Sequence, residues 1–130
     1  EPLEDVFVLP RSNPRVTPSW FGFVLTVKDT APFDKGELVR HLEQNGIGTR
    51  SVFAGNLLRQ PLYAKDAIAL RIRDGELKHS NELQNEDYAR LPNTETVMNS
   101  SFWIGVWPGL SQGDLQRMLE VTSRFIESRQ

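Results

Sequence analysis

Apolar strand-like and well-capped helical segments alternate along this chain, and their order limits the fold more than any other feature. Trp20–Lys28, reading WFGFVLTVK, is rich in β-branched and aromatic residues and reads as a strand. Its near-continuous apolarity predicts cover on both faces. Asp34–Asn45 reads as a helix: Asp34 is an N-cap residue with Glu37 three positions on, a capping-box spacing. Leu38, Val39 and Leu42 form its apolar stripe, and Gly46 follows where a helix end favours a left-handed residue. Thr49–Ala54, with apolar Val52 and Phe53, reads as the next strand. A strand–helix–strand series of this length is either a right-handed crossover or a strand pair flanked by a helix.

The remaining segments extend this pattern. Val6–Leu9 is apolar and stopped by Pro10, and Pro14 and Pro18 hold the next stretch extended or turned. Leu57–Gln60 reads as one helical turn before Pro61, and Ala64–Ile72 fits helix or strand equally. Arg73–Asp87 is polar and charged, a surface loop. Thr94–Ser100, capped by Asn93 or Thr94, reads as a short helix holding Thr96, Val97 and Met98. Phe102–Trp107, FWIGVW, is the most apolar strand, and Pro108–Gly109 ends it. Ser111 then caps a last helix with Asp114 three positions on, and Leu115, Met118, Leu119, Thr122 and Ile126 share one face. The expected fold is α+β (α/β-like), a small sheet covered by two main helices.

Composition narrows the functional classes. A chain of 130 residues fits one domain, and seven Phe with three Trp are enough for a core. Net charge is −2 with Lys and Arg scattered, which argues against a nucleic-acid surface. Apolar runs fall far short of the ~20 residues of a membrane span. Without cysteine there is no thiolate nucleophile or disulfide, and His41 and His79 have no metal-ligand spacing. Glu1–Val8 runs straight into apolar sequence, an abrupt start expected of a piece of a longer chain or of a mature fragment.

Chemistry concentrates in Gly46–Pro61, GIGTRSVFAGNLLRQP. Arg50 and Arg59 are guanidinium donors suited to carboxylate or phosphate. Gly55 allows close backbone approach, and Asn56 and Gln60 offer donors and acceptors. One reading is a loop for an anionic, hydroxyl-rich ligand such as a nucleotide sugar. The plainer one is a loop whose arginines pair with surface carboxylates. His41 and His79 read as partly exposed structural residues, and Trp20, Trp103 and Trp107 as core or interface aromatics, Trp107 at an exposed contact. No nucleophile–base pair stands out, and Lys28, Lys35, Lys65 and Lys78 sit near segment ends or in loops. The residues describe a binding or completing domain.

Four motifs occur in order: PSWFGF at 18–23, GIGTRSVFAGNLLRQP at 46–61, LPNTETVM at 91–98 and FWIGVWPGL at 102–110. Together they resemble the C-terminal part of the DegT/DnrJ/StrS group of pyridoxal-phosphate-type sugar enzymes. Within it, the forms TR-x-x-FAGN-x-x-x-QP and FW-x-GV-x-PGL resemble the CDP-4-keto-6-deoxy-D-glucose 3-dehydratases of O-antigen lipopolysaccharide and dideoxysugar biosynthesis. The resemblance runs from Pro18 onward and is weakest at 64–88. It implies, at 18–130, the small C-terminal domain of the aspartate-aminotransferase fold with a variable loop at 64–88, which leaves 1–17 as a linker or entry segment. It also implies a large domain elsewhere that holds pyridoxal or pyridoxamine phosphate, the Lys or His acting on it and, in some members, an iron–sulphur cluster. A cytoplasmic homodimeric parent served by an NAD(P)H-dependent reductase follows from the same resemblance, with loss of the C3 hydroxyl as the reaction. In that scheme this domain closes the substrate site with Arg50, Phe53, Asn56 and Gln60, and with Trp20 and Phe21 in the wall, and holds no catalytic residue itself. A nucleotide-sugar aminotransferase domain and a non-catalytic nucleotide-sugar binding module are the alternatives.

Overall fold

The capping signals and apolar stripes appear in the computed structural model, which describes residues 2–53, 55–65, 68–71 and 77–130. Contacts divide the chain into two units: 1–52 with 100–130, and 53–99.

The first unit is built on a four-stranded sheet of order β1-β2-β6-β3, with β1 at Phe7–Val8, β2 at Gly22–Val27, β3 at Thr49–Ser51 and β6 at Ser101–Gly105. Every neighbouring pair is antiparallel. Strands β2 and β3 both pair with β6, so they run parallel to each other with β6 between them. Strand–helix–strand is therefore a split β–α–β unit, whose returning strand leaves room for one more.

Helix α2 (Lys35–Gln44) has the expected capping box: Glu37 N–H donates to Asp34 Oδ1 at 2.8 Å, and Asp34 N–H donates to Glu37 Oε2 at 3.1 Å. Its end is a Schellman motif. Gly46 N–H donates to the Glu43 carbonyl and Ile47 N–H to that of Leu42, with Gly46 at φ 73°. Leu38 and Leu42 are buried with Leu25, Val27, Ile47 and Phe102. Phe125 and Ile126 come in from α6 (Gln112–Glu127), and Phe33 sits 5.0 Å from Phe125, edge to face.

Several sequence expectations change here. Within the entry segment at 1–17, α1 (Pro2–Val6) and β1 place Val6 and Phe7 in the core, while 11–20 are exposed. Strand β2 buries Leu25 and Val27 but leaves Phe23 exposed, so its cover is incomplete. Strand β3 ends at Ser51 because its ladder with β6 ends there, and Phe53 lies in a turn, exposed. The α6 stripe is buried only toward its C-terminal end; Leu115 and Leu119 are exposed and line an apolar groove of about 340 Å3 with Phe23, Ile104 and Leu110.

In the second unit, a 3-10 turn at Leu57–Arg59 leads into α3 (Pro61–Lys65), with Pro61 at the first helical position, where a missing N–H costs nothing. Ala69–Arg71 (β4) pairs antiparallel with Leu77–His79 (β5), so the ambiguous 64–72 holds both a helix end and a strand. The expected loop at Arg73–Asp87 likewise holds β5, a 3-10 turn at Ser80–Glu82 and the start of α4 (Asn85–Ala89); its 73–76 lie outside the described residues. Leu83 and Asp87 are buried. Helix α5 runs Pro92–Ser100, beginning at Pro92, ahead of the expected caps.

Candidate ligand-binding residues

The predicted site residues fall into two groups, one in each unit. In the first unit, Arg50 lies on β3 directly opposite Trp103 of β6, which in turn is opposite Val24 of β2. Directly paired residues share a face of the sheet, so Arg50 and Trp103 are neighbours there. Phe21, 71 % exposed, packs against the Trp103 ring at a centroid distance of 5.1 Å. Trp20 is exposed beside it in the chain. Arg50 is exposed, and among the described residues no hydrogen bond or ion pair engages its guanidinium. The Trp103 indole N–H is buried without a hydrogen-bond partner among the described residues. The structure thus gathers Phe21, Trp103 and Arg50 on one sheet face. Trp103 was visible in the sequence only as one aromatic of FWIGVW.

In the second unit, Asn56 is buried. Its Oδ1 accepts from Leu58 N–H at 3.1 Å, capping the 3-10 turn, and its Nδ2 donates to Glu95 Oε1 at 2.7 Å. Arg59 grips the same carboxylate, Nη2 to Oε2 at 2.7 Å and Nε to Oε1 at 3.0 Å, and its guanidinium lies 3.9 Å from the centre of the Tyr88 ring. These hydrogen bonds, first those from Arg59 and then that from Asn56, hold the Glu95 carboxyl below the usual glutamate range, and the same pairing raises Arg59. Arg59 therefore follows the plainer reading, an arginine paired with a carboxylate. Asn56 has both ends of its amide occupied. Phe53, 72 % exposed, and the half-buried Gln60 flank this cluster in sequence. The sequence reading did not single out Glu95 or Tyr88, since no local spacing links them to Arg59.

His41 is half-buried on α2 with its ring 5.0 Å from that of Phe125, a packing residue. Lys35 Nζ donates to the Ser101 carbonyl at 3.4 Å, and burial lowers its pKa. Among the described residues no three His, Asp or Glu side chains could hold a metal, and no helix is long and apolar enough to cross a membrane.

The fold is α+β, a small antiparallel sheet with helices. It matches a solved structure of E. coli GDP-4-keto-6-deoxy-D-mannose-3-dehydratase with bound hydrated PLP, with a TM-score of 0.61 and 17 % identity, over 93 % of this chain and 27 % of that one. At that identity the likeness speaks for the fold alone. Residues 2–122 match the DegT/DnrJ/EryC1/StrS aminotransferase family, and the chain belongs to it. It is 39 % identical over 119 residues to lipopolysaccharide biosynthesis protein RfbH of Salmonella typhimurium, covering 92 % of this chain and 23 % of that protein. It is 33 % identical over 119 residues to dTDP-4-dehydro-2,6-dideoxy-D-glucose 3-dehydratase of Saccharopolyspora spinosa, covering 92 % of this chain and 22 % of that protein. The chain thus spans about a quarter of the length of the curated relatives it matches.

Proposed function

We propose that this chain is the C-terminal small domain of a pyridoxal- or pyridoxamine-phosphate-dependent nucleotide-sugar 3-dehydratase, acting on a CDP-4-keto-6-deoxyglucose-type substrate in dideoxysugar and O-antigen lipopolysaccharide biosynthesis. One observation carries the assignment: nearly the whole chain aligns with a protein named as a nucleotide-sugar 3-dehydratase. The described residues do not fit the cofactor by themselves. Lys35 is turned to the Ser101 carbonyl, and the Arg59 guanidinium is occupied by Glu95. In this reading cofactor chemistry, and an iron–sulphur cluster where the parent has one, belong to protein outside this chain, in a cytoplasmic homodimer supplied with electrons by an NAD(P)H-dependent reductase.

What this domain contributes is closure of the substrate site. Arg50 supplies a guanidinium not committed elsewhere, suited to the charged diphosphate or another anionic group of the ligand. Phe21, Trp20 and Phe53 supply exposed aromatic surface against base or sugar. Gln60 adds an amide, and Asn56 acts from within the loop. Arg50→Ala in the protein at its native length is expected to raise KM or lower kcat for the nucleotide sugar by roughly ten- to hundredfold, the range of a hydrogen bond to a charged group, with little change in folding. Unchanged kinetics would remove Arg50 from the site. The family description favours a second reading, a nucleotide-sugar aminotransferase. Amino transfer from glutamate to a 4-keto sugar, in place of loss of the C3 hydroxyl, would select it.

A further inference from the structure

Residues 55–60 are held to helix α5 at two places one helical turn apart. Gly55 adopts φ 59°, and a Cβ placed on it would lie 2.5 Å from Met98 Cγ, so only a glycine lets the loop backbone approach α5 this closely. Three residues earlier on α5, Glu95 accepts from both Asn56 and Arg59. Positions three apart share a helix face, so Glu95 and Met98 form one backing surface for the loop. Asn56 then passes the constraint to the backbone by capping Leu58. A buried amide that lost its carboxylate partner would be left with an unsatisfied donor, which costs more than the hydrogen bond itself contributes. The loop conformation therefore depends on one side chain far away in sequence.

We propose that Glu95 is a positioning residue: it sets the conformation of residues 55–60 and so the affinity for the nucleotide sugar, without touching that ligand. This rests on the function proposed above. Three residues of the predicted ligand loop, Asn56, Leu58 and Arg59, are tied to it directly or through one intermediate. The half-buried Gln60 stands at the end of the segment so fixed, and the exposed Phe53 precedes it in the chain.

The test uses the native-length protein, with Glu95→Ala and the milder Glu95→Gln, which keeps an acceptor for Asn56 but loses the charge that Arg59 pairs with. Amide exchange at Leu58 and Arg59 is expected to speed up at least about tenfold in Glu95→Ala and less in Glu95→Gln, while amides of α2 and α6 keep their wild-type rates. Affinity for CDP-4-keto-6-deoxyglucose should weaken in the same order, about tenfold for Glu95→Ala, with kcat within about twofold of wild type. Unchanged exchange at Leu58 would overturn the proposal whatever the ligand. Faster exchange with unchanged affinity would overturn it while leaving the dehydratase reading intact. A wild-type protein that binds no nucleotide sugar would overturn that reading and this proposal with it.

Discussion

Gly22 determines where the Trp103 indole can lie. The two sit diagonally across the β2–β6 ladder, and a Cβ on Gly22 would come within 2.5 Å of Trp103 Cε3. The clash is with a ring that also packs against Phe21 and whose indole N–H is buried, so relieving it means moving the indole from its packed position. Gly22→Ala is thus expected to destabilise the protein by about 1–3 kcal/mol, the usual cost of overpacking. Urea denaturation would measure it. Adding Trp103→Leu should recover part of that loss, because residues in contact are not additive; strictly additive losses would show that the ring is not the obstacle. In the sequence Gly22 is only one residue of the strand-like WFGFVLTVK. Its purpose depends on a strand much later in the chain, and single-residue steric demands of that kind have no local signature. Arg50 is the opposite case: its chemistry was legible from its type, while its exposure and its position opposite Trp103 required the sheet register.

At the level of elements, what was legible was whatever closes within about four residues. Both long helices start where their capping residues predict, and α2 also stops where Gly46 predicts. In α6 the Ser111 hydroxyl accepts from Asp114 N–H at 3.2 Å and donates to Asp114 Oδ2 at 2.7 Å, and Ser111 N–H donates to the same oxygen at 2.8 Å. Ser111→Ala should cost about 1 kcal/mol, the common value for a lost N-cap. That cost has a pH dependence of definite sign. The hydrogen bonds from Ser111, its hydroxyl first, lower the Asp114 pKa in the folded state. A lowered carboxyl stabilises the fold above its unfolded value and loses that contribution as pH falls through the folded one. The difference between wild type and Ser111→Ala should therefore be full near neutral pH and shrink below the ordinary aspartate value of 3.8. Denaturation curves across that range would check it, and a gap that widens on acidification would contradict the cap. Strand ends were less legible than helix ends. Val52 and Phe53 look like a continuation of β3, but only the ladder with β6 decides where pairing stops.

On the scale of the whole chain, the two units are built from different material, and this explains why one was readable and the other not. In the first, the buried side chains are apolar apart from Ser101: Val6, Phe7, Leu25, Val27, Phe33, Leu38, Leu42, Ile47, Phe102, Phe125 and Ile126. Apolar periodicity is the signal that sequence reading detects best, so β2, α2, β6 and α6 emerged in order. In the second, Leu83 is the buried apolar residue among those described, alongside buried Asn56, Ser80 and Asp87. Polar burial leaves no periodic trace. It is specified by pairs distant in sequence, such as Asn56 with Glu95, and Ser80 Oγ accepting from Ile68 N–H at 3.0 Å. The same contrast predicts unequal local stability. Apolar area removed from water contributes roughly 25 cal/mol per Å2, while a hydrogen bond replaces one already made with water and nets only about 1 kcal/mol. Native-state amide exchange should accordingly show α2, β2 and β6 opening only with global unfolding, and β4, β5 and α4 opening earlier, at lower denaturant dependence. Adding urea in small steps would bring the two sets together only near the midpoint. If β4 and β5 instead exchanged along the same isotherm as α2 from the first step, the second unit would be as firmly held as the first, and its polar core would have to be worth far more than its hydrogen bonds in water suggest.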